Sequence, residues 1–160
     1  MTIKAGETLP FDIKLKEMGD KGPRDVSVGE LFKGKRVVLF AVPGAFTPTC
    51  SMKHLPGFVE KAADIRGKGV DEIICLAVND AFVMSAWGDN QKAHGKVRML
   101  ADGNGEFTKS LGLELDASGF GMGQRSKRYA LIAKDGKVEH LLIDPSGLEH
   151  SSAESVLSKL

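Results

Sequence analysis

Two short apolar runs constrain this chain more than any other feature: Val37-Val38-Leu39-Phe40-Ala41-Val42 and Ile73-Ile74-Cys75-Leu76-Ala77-Val78. Both are too short for a helix and rich in β-branched residues, the pattern of a strand buried on both faces. Between them Leu55, Phe58, Val59, Ala62 and Ile65 recur at helical spacing. Pro56 is expected to kink that helix, because it has no N–H to give. Two buried strands joined by a helix imply a right-handed parallel crossover.

The flanking segments extend the pattern. Phe11 to Lys35 predicts a short hairpin about the Gly19-Asp20-Lys21-Gly22-Pro23 turn. Ser27-Val28-Gly29-Glu30 fits a capping box, opening a brief helix that carries Leu31 and Phe32. Asn79-Asp80 supply a cap for a helix through Phe82, Val83, Ala86 and Trp87. Val97 to Ala101 reads as a strand, and Phe107 and Leu111 share one face of a short helix. Asp135-Gly136 between two apolar runs signals a hairpin. Ser151-Ser152-Ala153-Glu154 reads as a second capping box before a last helix. Gly119-Phe120-Gly121-Met122-Gly123 is followed by no helical pattern, so it is expected to be a mobile loop and not a phosphate cradle. A βαβ half followed by a ββα half is the thioredoxin-like α/β plan: a mixed central sheet, helices on both faces and an N-terminal hairpin extension. No linker or repeat divides the chain, so residues 1–160 are expected to form a single domain.

Composition narrows the chemistry. A formal net charge of +1 offers no pull toward nucleic acid or a membrane surface. No apolar stretch reaches spanning length. The first residues do not follow the charged-then-apolar order of a signal peptide, so the expected location is cytoplasmic. The two cysteines, Cys50 and Cys75, and His54, His94, His140 and His150 show no metal-ligand spacing, so no metal site is expected.

Cys50 lies just past the carboxyl end of the first buried strand, where open α/β sheets place their ligands. Thr47-Pro48 reads as a helix start, a hydroxyl at the cap and proline at the first helical position. Cys50 then falls in the first turn. There unpaired N–H groups and the helix dipole favour an anion by up to ~2 kcal/mol. A guanidinium beside it adds about 1.5–3 kcal/mol through a charged hydrogen bond. The thiolate is the reactive form of cysteine. Full ionisation alone accelerates a thiol only roughly 10–30-fold, so a fast reaction also needs a hydroxyl, an N–H and a cation around the sulfur. Thr47 and the Cys50 amide are candidates for the first two.

The run Pro43-Gly44-Ala45-Phe46-Thr47-Pro48-Thr49-Cys50, continuing through Ser51-Met52-Lys53-His54-Leu55-Pro56-Gly57-Phe58, resembles the active-site signature of the peroxiredoxins, and within them the type II or "five" subfamily. Cys75 to Met84, Ala86-Trp87, Leu100 to Gly103 and Leu111 to Asp116 also resemble that subfamily. The resemblance implies a thiol-specific peroxidase that reduces hydrogen peroxide and alkyl hydroperoxides through a sulfenic acid on Cys50, without a cofactor. It implies that Thr47 bonds the sulfur and the peroxide, that Pro43 shields the pocket, and that Arg128 is the cation, with Arg125 the fallback. Gly44, Phe46 and His54 are pocket candidates. Glutaredoxin with glutathione, or thioredoxin, is the implied reductant. A homodimer is implied, with Phe46 at its interface.

Cys75 has two readings: an inert core thiol, or a resolving cysteine that forms a disulfide with Cys50. His54 likewise either packs near the pocket or serves as the base of a Cys–His hydrolase. A redox-sensing or holdase-type binding protein is the alternative to the enzyme.

Overall fold

A computed structural model describes all residues from Met1 to Leu160. Strands β1 (Lys14–Gly19) and β2 (Gly22–Ser27) form the N-terminal hairpin. Helix α1 (Val28–Phe32) follows with the complete capping box between Ser27 and Glu30. Then come β3 (Arg36–Val42), α2 (Leu55–Arg66), β4 (Glu72–Ala77), α3 (Ala81–Asn90), β5 (Arg98–Ala101) and α4 (Glu106–Ser110). Strands β6 (Glu114–Asp116) and β7 (Gln124–Ser126) make a small separate hairpin. Strands β8 (Arg128–Lys134) and β9 (Lys137–Asp144) and helix α5 (Ala153–Leu157) complete the chain.

The main sheet has the order β2-β1-β5-β4-β3-β8-β9. Strands β3, β4 and β5 run parallel, and β8 lies antiparallel on the other side of β3. This is the thioredoxin-like arrangement. Alternation along β3 builds two cores. Val38, Phe40 and Val42 face α2, α3 and α5. Val37, Leu39 and Ala41 face α1 and α4. Asp135 and Gly136 both adopt positive φ, 51° and 77°, as a tight type I′ hairpin turn requires.

Two expectations need correction. The kink at Pro56 is a π-turn, Cys50–His54, placed just before the proline. The Leu55 N–H reaches back to the Cys50 carbonyl, and Pro56 cannot offer the next donor, so the widened turn is resolved ahead of it. The last helix is capped by Ser152, which accepts from Ser155 N–H, and not by a box between Ser151 and Glu154. Ser151 is buried and turned toward Asp144. The glycine-rich segment after Ser118 is a loop, with one 3-10 turn at Ser118–Phe120, that connects β6 and β7, a hairpin too short to give a periodic signal.

Candidate active site

The site sits where β3 ends and the Cys50 helix begins. Helical backbone starts at Pro48, so proline occupies the first position, where its missing N–H costs nothing. The loop before it is tightly tied. Ala45 N–H donates to Asn79 Oδ1 at 2.9 Å. Thr47 Oγ1 donates to the Gly44 carbonyl at 2.6 Å. Phe46 is held in the left-handed region, φ 64°, which costs an L-residue about 1–2 kcal/mol. Gly44 is buried, and a Cβ there would lie 3.0 Å from Arg125 Nη1 and 3.2 Å from Met122 Cε. Its missing side chain lets both pack over the loop.

Arg128, the first residue of β8, donates from Nη2 to Cys50 Sγ at 3.2 Å. Its other terminal nitrogen, Nη1, lies 2.8 Å from His54 Nδ1. His54 Nε2 lies 2.9 Å from the Ser151 carbonyl. A carbonyl can only accept, so Nε2 carries the proton and Nδ1 presents its lone pair to Arg128. The ring packs against Phe40 and Phe58, with centroids 5.0 and 5.7 Å away. Burial accordingly pushes the His54 pKa down to about 3. The Ser151 carbonyl opposes that shift and Arg128 reinforces it.

Cys50 is fully covered and belongs to the apolar cluster around α2. In the loop before it, Pro43 and Thr47 are only partly buried. Thr47 reads in the sequence as the hydroxyl at the helix cap, but the structure does not use it as one. Its hydroxyl donates to Gly44 instead. Both ring nitrogens of His54 are engaged, neither by Cys50, so a Cys–His hydrolase pair is absent. Arg125 donates from Nε to the Met122 carbonyl at 3.0 Å, while Arg128 is the cation on the sulfur.

Cys75 lies mid-strand, paired with Phe40 on one side and Met99 on the other. It shares the inner face with Cys50. Burial pushes its thiol well above the ordinary range, and nearby Cys50 adds to the effect.

Several supporting residues carried little sequence signal. Asn79 holds the loop while Asp80 caps α3. Trp87 donates to Ser51 Oγ at 2.9 Å, fixing the π-turn to α3. Asp144 and Ser151 are far from Cys50 in sequence, although Asp144-Pro145-Ser146-Gly147 has strong turn chemistry that could have marked an ordered turn.

The buried neutral histidine gives a testable consequence. An unfolded His54 binds a proton near pH 6.5, and the folded one resists down to about 3. Between those values the unfolded chain holds the extra proton, so stability is intact above the window and drains away as pH falls through it. By about pH 4 the loss is roughly 3 kcal/mol. Urea midpoints should fall across this range, and His54→Gln should flatten the fall. Equal slopes in the two proteins would exclude His54 as the source.

The redoxin family model matches residues 4–157. The chain is 54% identical over 135 residues to Peroxiredoxin-2B of Arabidopsis thaliana, covering 84% of this chain and 83% of that protein. It is 48% identical over 163 residues to the chloroplastic Peroxiredoxin-2E of the same plant, covering 99% and 70%. The relatives thus include a chloroplast protein, and membership does not fix a compartment. Among solved structures, reduced Prx3 from Vibrio vulnificus in complex with hydrogen peroxide matches with a TM-score of 0.94 and 51% identity, over 99% of each chain. With that match in sequence and fold, the chain belongs to the peroxiredoxins, the thiol peroxidases of the redoxin family, and resembles their type II members.

Proposed function

We propose that Cys50 is the peroxidatic thiol and that Arg128, Thr47 and Pro43 form its peroxide pocket. The observation that carries this assignment is the Arg128 guanidinium, 3.2 Å from Sγ at the start of a helix. The Cys50 thiolate attacks one peroxide oxygen. The S–O bond forms as the O–O bond breaks, and the departing alkoxide or hydroxide takes a proton from solvent. Cys50 is left as a sulfenic acid. Arg128 stabilises the thiolate first and then the charge that develops on the leaving oxygen. The Thr47 proton is committed to Gly44, so its lone pairs are left to accept from the peroxide O–H. Pro43 and the Ala45–Phe46 turn limit water at the sulfur.

An external thiol then attacks the sulfenic acid, releasing water and forming a mixed disulfide that a second thiol reduces. Glutaredoxin with glutathione, or thioredoxin, supplies those thiols. Cys75 is a poor resolving thiol. It is buried within a paired strand, and burial keeps it protonated, whereas the attacking species is the thiolate. Half-exposed Phe46 beside Trp87 supports a homodimer contact near the pocket.

Steady-state peroxide consumption with each reductant tests this scheme. Cys75→Ala should keep turnover close to wild type with the productive donor. Loss of turnover, together with an intramolecular Cys50–Cys75 disulfide in the wild type, would assign resolution to Cys75. A single oxidation with no turnover by any donor would favour the sensing or holdase reading.

A further inference from the structure

Arg128 does not reach Cys50 unaided. A continuous run of hydrogen bonds stands behind it. Asp144 closes the turn after β9, its carboxylate accepting from the N–H groups of Glu149, His150 and Ser151 at 2.9–3.1 Å. Ser151 Oγ adds a bond at 2.7 Å to the same carboxylate. Burial works against this carboxylate, but those donors hold it below the usual range. The turn aims the Ser151 carbonyl at His54 Nε2, and His54 Nδ1 receives Arg128 Nη1. Arg128 and Asp144 are also partners across the β8–β9 ladder, so the run closes on itself.

We propose that the Asp144–Ser151 turn and His54 form a positioning chain that fixes the Arg128 guanidinium on the Cys50 sulfur. This rests on Cys50 being the peroxidatic thiol. The argument is geometric. A guanidinium has five donors on a long flexible stem, and one bond to sulfur leaves its plane free to swing. A second bond to the neutral, ring-stacked His54 removes that freedom. Only the tautomer with the proton on Nε2 can do this, and the Ser151 carbonyl selects it. Both His54 ring nitrogens are thus committed to Ser151 and Arg128, and His54 acts on the sulfur through Arg128.

Peroxide consumption by wild type, His54→Leu, His54→Gln, Arg128→Ala and the His54→Leu/Arg128→Ala pair tests the chain. His54→Leu should lower the second-order rate constant roughly 10- to 100-fold. His54→Gln, which keeps an acceptor and a donor on one side chain, should recover most of that loss. In the Arg128→Ala background, His54→Leu should change the rate less than about twofold, because coupled residues do not add. Equal losses in both backgrounds, or none in the wild-type background, overturn the proposal. If His54→Leu does not fold, Asp144→Asn takes its place, with an expected loss of roughly 3- to 10-fold that vanishes without Arg128. A loss that persists without Arg128, or no loss at all, overturns it again. Cys50→Ser run alongside separates the two levels: residual wild-type activity there removes the peroxidase assignment itself, while an inactive Cys50→Ser with unaffected His54 variants removes only the positioning chain.

Discussion

Cys50→Ser is expected to reduce peroxide turnover to the uncatalysed background. A hydroxyl in this place is un-ionised at neutral pH, and its oxygen cannot accept the peroxide oxygen as sulfur does to give a sulfenic acid. The change is nearly isosteric, so the fold should persist. The Arg128 guanidinium still has His54 Nδ1 as a partner. Far-ultraviolet circular dichroism and a urea midpoint near the wild-type value would show that only chemistry was lost. The assay is peroxide decay with glutaredoxin and glutathione, or with thioredoxin. The loss should be the same with either donor, since the missing step precedes reduction.

Arg128→Ala is expected to slow the reaction by roughly 100- to 1,000-fold, the range for removing one preorganised donor from a developing charge. Two contributions combine. The thiolate loses a charged hydrogen bond, about 1.5–3 kcal/mol. The leaving oxygen loses its nearest cation in a site that excludes water, where such contacts count for more than in bulk solvent. Arg128→Lys should recover only part of the rate. An ammonium is a point charge and cannot bond Sγ and His54 Nδ1 through two fixed, coplanar nitrogens. The measurement is the second-order rate constant of the pre-reduced protein with hydrogen peroxide. A loss below about threefold for Arg128→Ala would mean that the 3.2 Å contact contributes little to the reaction.

Much of this site could be read from the chain. Val37 to Val42 and Ile73 to Val78 announced themselves as buried parallel strands, because continuous β-branched runs have few other uses, although the second strand ends at Ala77. The Ser27–Glu30 box and the Asp135-Gly136 turn are local devices whose chemistry lies within a few residues, and both formed as written. The position of Cys50 after β3 followed from the same local logic. What lay hidden depends on distance or on exact backbone hydrogen bonding. The π-turn at Cys50–His54 is invisible to a 3.6-residue period, and only Pro56 hinted at it. The contact between His54 and Ser151 spans 97 residues, and no pattern within either segment foretells it. No local signal foretold that Cys50 is fully buried. The loop before it is held by Asn79, just past the end of β4, a tertiary contact that neither segment signals. The two cysteines show the same division: the burial of Cys75 was written in its apolar strand, whereas that of Cys50 was not.

The most direct measurement is the identity of the first oxidised atom. Reduced protein is mixed with one equivalent of hydrogen peroxide, sulfenic acid is trapped with a dimedone-type reagent, and the adduct is mapped by peptide mass spectrometry at the shortest accessible times. The account predicts that the label appears first on the peptide containing Cys50 and forms far more slowly in Arg128→Ala. Label arising first at Cys75, or forming at the same rate without Arg128, would contradict it.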